Sequence, residues 1–166
     1  MDRSLQIILY GVGCGMSGSW WRNQHNKHHS MPQKLHHDVD LNTLPLVAFT
    51  EKVVKRIGVP MKIWIRLQAA MFPICTTMLV ALGWQLYLHP RHIMRRKEKS
   101  EGAMLILRYV LWTYLFTANF GVGASAAMYL FYNWCASNYI FINFAVSHTH
   151  LPVVAADDDK VDWVRY

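Results

Sequence analysis

Two long uncharged stretches dominate the pattern of apolar and polar positions. From Leu67 to Leu88 the chain runs 22 residues without Asp, Glu, Lys or Arg, which as a helix rising about 1.5 Å per residue covers a hydrocarbon core of about 30 Å. Pro73 inside it predicts a kink that a membrane helix tolerates. From Tyr109 to Ser147 a further 39 residues are uncharged, roughly 58 Å as one helix and too long for a single crossing. Gly121-Val122-Gly123 divides this stretch, and the small residues Gly121, Gly123, Ser125, Ala126 and Ala127 suit close approach of helices in lipid. Between the two, His89 to Ser100 carries Arg91, Arg95, Arg96, Lys97 and Lys99 and reads as a solvated loop at the headgroups, with His89 and His92 as headgroup neighbours. Residues 41–62 set Leu44, Leu46, Val47, Val53, Val54 and Ile57 among Lys52, Lys55 and Arg56, the pattern of an amphipathic interfacial segment. The end, Ala155 to Tyr166, is polar, with Asp157, Asp158, Asp159 and Asp162. No repeat, low-complexity tract or strand-like alternation interrupts this order. The fold class predicted is all-α, an integral membrane helical protein with interfacial amphipathic helices.

Composition sharpens the picture. The 166 residues are 53% hydrophobic and only 16% charged, against about 25% charged for ordinary soluble domains. That is one domain's worth of chain at most, and neither a disordered tail nor a typical water-soluble protein. The net charge of +7 invites a nucleic-acid reading. The basic residues, however, flank apolar segments instead of interleaving with aromatics along one face, so a membrane surface is the partner expected and nucleic acid is not. Cys14, Cys75 and Cys135 stand far apart in apolar surroundings, without the close pairing of zinc or redox motifs. They read as reduced, buried thiols. Gly11, Gly13, Gly15 and Gly18 break the apolar run after Met1-Asp2-Arg3, and no cleavable signal is visible.

The candidate chemistry lies in the histidines, five of which fall between His25 and His37. On a helix the spacing of His25, His28 and His29 puts three imidazoles on one face, while Asn26 and Lys27 point away. Imidazole suits zinc, copper, iron or nickel, so this face can supply much of one metal's coordination or part of two. Pro32 disfavours helix at Met31 and ends the helix, leaving His36 and His37 in the segment beyond it. Asp38 and Asp40 then fit either carboxylates that orient a ligand imidazole or ordinary turn acids. His148-Thr149-His150 closes the second apolar stretch, where a histidine either reaches water or binds metal.

These residues carry a family resemblance. Trp20-Trp21-Arg22-Asn23-Gln24-His25-Asn26-Lys27-His28-His29, with Pro32-Gln33-Lys34-Leu35 and Asp38-Val39-Asp40-Leu41 after it, resembles the second histidine box of the membrane-bound front-end fatty acid desaturases. Asn143-Phe144-Ala145-Val146-Ser147-His148-Thr149-His150-Leu151-Pro152 resembles the end of that family's later membrane region. The resemblance implies a multi-pass enzyme of the endoplasmic reticulum membrane with two iron ions in a histidine-ligated di-iron centre. It would take O2 and electrons from cytochrome b5 to set a cis double bond into a fatty acyl chain carried on CoA or on a phospholipid. The sequence contains no His-Asp-x-x-His first box and no cytochrome b5-like His-Pro-Gly-Gly, and beyond Gln33-Lys34-Leu35-His36-His37, which lies within the second-box region, no Gln-x-x-His-His string follows as a third box. It therefore reads as a partial desaturase domain over 1–166, inactive by itself: histidine-box region 1–40, interfacial segment 41–66, membrane helices 67–147 and polar segment 148–166. The metal ligands expected are His25, His28, His29 and His148, with Asp38, Asp40 and Asn143 as supporting partners and Asn138 and Ser147 nearby in sequence. His148 is favoured over His150 because Pro152 turns the chain away from helix after it. A sphingolipid desaturase or hydroxylase, and a non-enzymatic membrane protein binding metal or haem, are the alternatives.

With the early and late histidines on the cytosolic side, an even number of crossings must separate them. One arrangement has Leu67–Leu88 and Ala124–Ser147 cross, with Ala103–Phe120 along the lumenal interface and Arg108 reaching its headgroups. The other keeps Leu67–Leu88 on the cytosolic side and has the 39-residue stretch cross twice, which better respects the positive-inside tendency of Arg91 to Lys99. The first is the arrangement expected here, because Leu67–Leu88 has the cleaner length.

Overall fold

The computed structural model describes residues 2–41, 47–54, 58–149 and 152–155. His150, most of the acidic end and part of the interfacial segment, with Leu44, Leu46, Lys55, Arg56 and Ile57, lie outside the described residues, as does the side chain of His148. Among the described residues the regular structure is helical, including the short helices α3 (Glu51–Val54) and α4 (Val59–Arg66), apart from one isolated parallel bridge between Lys34 and Val154. Two helical stretches, Gln68–Arg96 and Lys99–Ser147, are long and apolar enough to cross a membrane. The chain divides into two compact units, one from residues 1–23 with 73–139, the other from 24–72 with 140–166.

In the first unit, α1 (Arg3–Ile8) starts where the Asp2 carboxylate accepts the N–H groups of Ser4 and Leu5 at 2.8 and 3.2 Å. It continues in wider turns over Leu9–Cys14 and stops at Gly15, whose φ of 70° is left-handed. This segment packs on α7 (Lys99–Trp112), and Gly11 permits the contact, since a Cβ there would lie 2.5 Å from Cβ of Met104. The chain then enters α2 (Gly18–Ser30), whose first N–H groups are satisfied from outside the helix. Ser17 Oγ accepts from Trp20 N at 3.1 Å, and Glu101 accepts from Ser19 N at 2.9 Å and from the Ser17 and Ser19 hydroxyls. The anion sits at the positive end of the helix dipole. Past Pro73, α5 (Gln68–Met78) runs through wide turns at Leu79–Leu88 into α6 (His89–Arg96). Thr77 Oγ1 donates to Pro73 O at 2.7 Å and meets Ser137 Oγ of α8 (Ala118–Thr149) at 3.2 Å, an interhelical polar contact of the kind that joins helices in lipid.

Several expectations are corrected here. The basic segment is not a solvated loop over its first part: His89–Arg96 is helical, closed by Lys97 in the left-handed region. His89 is fully buried, its Nδ1 accepting the Ser17 N–H at 3.0 Å with the ring edge-on to Trp20. It meets a helix start that needs an acceptor, and not a lipid headgroup. His92 is half-buried, with Nε2 3.1 Å from Ser19 Oγ. Arg108 is also buried, and its Nη1 donates to Val12 O and Gly13 O at 2.8 and 2.7 Å, with the guanidinium over the rings of Tyr129 and Tyr132. The carbonyl end of the first helical segment attracts it inward in place of lumenal headgroups. Gly121 and Gly123 have no neighbour within 4 Å of a built Cβ, so they make no tight helix contact; Gly121, with φ 74° and ψ 168°, breaks the helical path instead. All three cysteines are free thiols, but only Cys75 is buried.

A paired substitution checks this packing. Gly11→Ala should destabilise the protein by about 1–3 kcal/mol through overpacking against Met104, whereas Gly123→Ala should be neutral or stabilising by up to about 1 kcal/mol from helix propensity. Thermal unfolding in detergent reads both; equal effects would contradict the close approach at Gly11.

Candidate metal centre

The site lies in the second unit and is built on the last turns of α2. The helix ends at Ser30, where Met31 N closes a tight turn on His28 O at 3.1 Å and Pro32 cannot continue the ladder. The spacing of three, four and one residues then does what helical geometry requires. The ring centroids lie 6.4 Å apart for His25 and His28, 4.4 Å for His25 and His29, and 5.2 Å for His28 and His29. The Nε2 atoms of His25 and His29 converge to 3.0 Å. Two nitrogens bound at right angles to one ion, each at about 2.1 Å, would stand about 3.0 Å apart. In this structure the 3.0 Å contact is a hydrogen bond between the two rings, at a separation that two ligands of one ion could also have. Both side chains are exposed, while His28 is buried.

What buries and turns His28 is Asp38. Its carboxylate, with no exposed surface, lies 2.9 and 3.0 Å from His28 Nδ1 through its two oxygens. It also accepts Gln33 N at 2.8 Å and Asp40 N at 2.9 Å. An ionised carboxylate so deep in the structure is tolerable only when its lone pairs are used, and here they are. The bond holds the imidazole with Nδ1 toward the carboxylate, the arrangement by which carboxylates orient ligand histidines. Asp40 Oδ2 is 3.6 Å from the same Nδ1. His28, Asp38 and Asp40 bring ligand atoms within 4.8 Å of one another and so form a second geometric possibility, an ion among the three. The four hydrogen bonds on Asp38 argue for the orienting role, because a cation there would displace donors that the loop needs.

The loop has its own frame. Gln33, only 1% exposed, holds a left-handed φ of 57°, and His36 one of 67°. Gln33 O accepts Val154 N at 3.0 Å, Leu35 N donates to Val154 O at 2.9 Å, and Lys52 Nζ donates to Val153 O at 2.7 Å. The segment after the late histidines is therefore fastened to the loop that carries Asp38. Gln68 and Ala48 add a two-bond pairing at 2.9 and 3.1 Å.

The structure thus brings together His25, His28, His29, Asp38 and Asp40. His148 lies in the last turn of α8, within the same unit. Asn143, one turn earlier, has its carbonyl taken by Ser147 Oγ at 2.8 Å, and Asn138 belongs to the other unit, where its Nδ2 donates to Trp134 O at 2.7 Å. His36 and His37 are exposed beside the site. Gln33 and Lys52 were not foreseen from sequence. A buried left-handed glutamine leaves no compositional mark, and Lys52 looks like any basic residue on an amphipathic face.

Comparison with known proteins finds relatives of this chain by sequence. The family described as fatty acid desaturase matches residues 1–165. Over 166 residues the chain is 59% identical to an acyl-lipid (8-3)-desaturase of Rebecca salina, covering 99% of the chain and 39% of that protein. A protein of the same name from a Thraustochytrium species is 47% identical over 169 residues, covering 100% of the chain and 38% of its own length. An acyl-lipid (9-3)-desaturase of Physcomitrium patens is 32% identical over 57 residues, 30% of the chain and 11% of that protein. The chain spans less than two fifths of the length of the first two relatives. No solved structure matches.

The orienting role of Asp38 is testable without any assay of function. Asp38→Ala should weaken binding of a divalent metal probe such as Co2+ about 10–100-fold and accelerate amide exchange at Gln33 and Asp40, whose acceptor it removes. Unchanged metal affinity would contradict the assignment.

Proposed function

Since the chain belongs to the fatty acid desaturase family, we propose that it is the part of a front-end acyl desaturase that supplies the second histidine box and one late histidine to a di-iron centre. The observation that carries this reading is the lock between His28 and the buried Asp38, beside the converging Nε2 atoms of His25 and His29. The donors are all imidazole nitrogens, which suit iron, and His25 and His29 lie exposed where ligands from elsewhere in the complete enzyme would approach. When bound, the iron pair supplies reductive activation of O2: two hydrogens leave adjacent methylenes, two electrons and two protons are added, and two waters form.

The chain's own residues would do the rest. His25, His28 and His29 would each offer one ring nitrogen to the iron pair, and Asp38 would hold the proton at His28 Nδ1 so that the ring keeps its orientation. His148 would join from the end of α8, supported by the pairing of Val153 and Val154 with the Asp38 loop. The names of the two longest-matching relatives favour an acyl group carried on a membrane lipid over acyl-CoA. Cytochrome b5 is the proposed electron donor and the endoplasmic reticulum membrane the proposed site.

For topology, the hydrogen bonds of Ser17 and Ser19 with His89, His92 and Glu101 favour the second arrangement over the one expected from segment length. Ser17 precedes His25 by eight residues, a helical rise of about 12 Å that cannot traverse a core of about 30 Å. In that arrangement the basic segment stays beside the start of α2, the two limbs about Gly121 would make the crossings, and positive charge would stay cytosolic.

In the complete enzyme, His25→Ala, His28→Ala and His29→Ala should each lose iron and desaturated product, while His37→Ala, at an exposed position, should keep both. Near-normal product from His28→Ala would remove the assignment. A single cysteine placed at Lys97 should react with an impermeant maleimide added outside sealed microsomes; protection from it would restore the first arrangement.

A further inference from the structure

We propose that Lys52 and Gln33 are positioning residues that register the segment following the late histidines against the loop that orients His28. The inference rests on the reading of this unit as part of a di-iron centre. Neither residue offers a ligand that the centre needs, yet each joins two parts of it. Gln33 is the joint: its N–H donates to Asp38 Oδ2 at 2.8 Å and its carbonyl accepts from Val154 N at 3.0 Å, so one peptide unit on either side of its Cα serves the orienting carboxylate and the returning chain. It does so at a left-handed φ of 57° while 1% exposed. A non-glycine residue held there is uncommon and persists where the surroundings over-determine it. Lys52 closes the other side, with Nζ 2.7 Å from Val153 O.

The consequence concerns His148. Six residues separate it from Val154, a reach of at most about 20 Å of chain. With Val153 and Val154 fixed to the Asp38 loop, the end of α8 is tethered within that reach of the frame that holds His28, so the late histidine is kept near it instead of on a free end. Helix packing alone would leave that distance to the membrane segments.

The test uses the complete desaturase purified in detergent, with iron per protein measured after dialysis against a chelator and with amide exchange followed at Leu35 and Val154. Lys52→Met should retain iron about tenfold less well, with kcat falling in parallel, KM within about twofold and faster exchange at Leu35 and Val154; Lys52→Arg should restore most of the iron. Gln33→Gly should keep more iron than Gln33→Ala, reversing the usual preference for alanine, because only glycine adopts the left-handed conformation freely. Wild-type iron and exchange in Lys52→Met, or lower abundance with unchanged iron per folded protein, would overturn the proposal, as would Gln33→Ala surpassing Gln33→Gly. His28→Ala separates the two levels. If it keeps iron, the metal-centre reading itself fails; if it loses iron while Lys52→Met does not, only the positioning role fails.

Discussion

The buried carboxylate of Asp38 is the constraint around which the second unit is organised. A charge without exposed surface must have its lone pairs satisfied, and four hydrogen bonds from His28, Gln33 and Asp40 meet that demand. Meeting it dictates the course of the chain. Pro32 ends α2 just past the histidines, the loop turns through a left-handed Gln33 and a left-handed His36, and the carboxylate arrives beneath an imidazole one turn inside the helix. The same turn exposes Gln33 O and Leu35 N along an edge that Val154 occupies. The orientation of the His28 ring, the shape of the loop and the docking of the chain beyond α8 are thus parts of one hydrogen-bonded arrangement.

The first unit follows a related logic with different groups. Its buried charges serve helix ends. Glu101 sits at the start of α2, and Arg108 at the carbonyl end of the segment that closes at Cys14. Each charge thereby has the dipole sign that favours it. Gln85 extends the scheme by donating to Cys14 O at 3.1 Å and accepting from the Tyr129 hydroxyl. In an apolar setting such polar contacts are few and specific, and they fix helices that hydrophobic packing alone would let slide. The start of the helix that carries His25, His28 and His29 is held in this way.

Much of this was legible in the sequence because it depends on period and length. The spacing of His25, His28 and His29 needs only 3.6 residues per turn, Pro32 marks the stop, and the two uncharged stretches announce long helices. The role of Asp38 was visible as one of two readings, since carboxylates after a histidine run fit both a turn and an orienting partner. What the sequence hid was direction. Arg108 and His89 look like headgroup residues when counted along the chain, yet both turn inward, because helix termini supply hydrogen-bonding partners that no linear pattern displays. Gly121 and Gly123 suggested close helix contact, whereas the contact that requires glycine is at Gly11 against Met104. Gln33 and Lys52 act through backbone conformation and a long-range bond to Val153, and neither leaves a local signature.

The central claim is that His28 faces the metal with Nε2 while Asp38 keeps Nδ1. Anomalous diffraction at the iron edge from crystals of the complete, iron-loaded enzyme tests it most directly. The account predicts an iron peak about 2.1 Å from His28 Nε2, a second contact to the convergent Nε2 atoms of His25 and His29, and the Asp38 bond to Nδ1 retained. Iron seated instead between His28 Nδ1, Asp38 and Asp40 would contradict it.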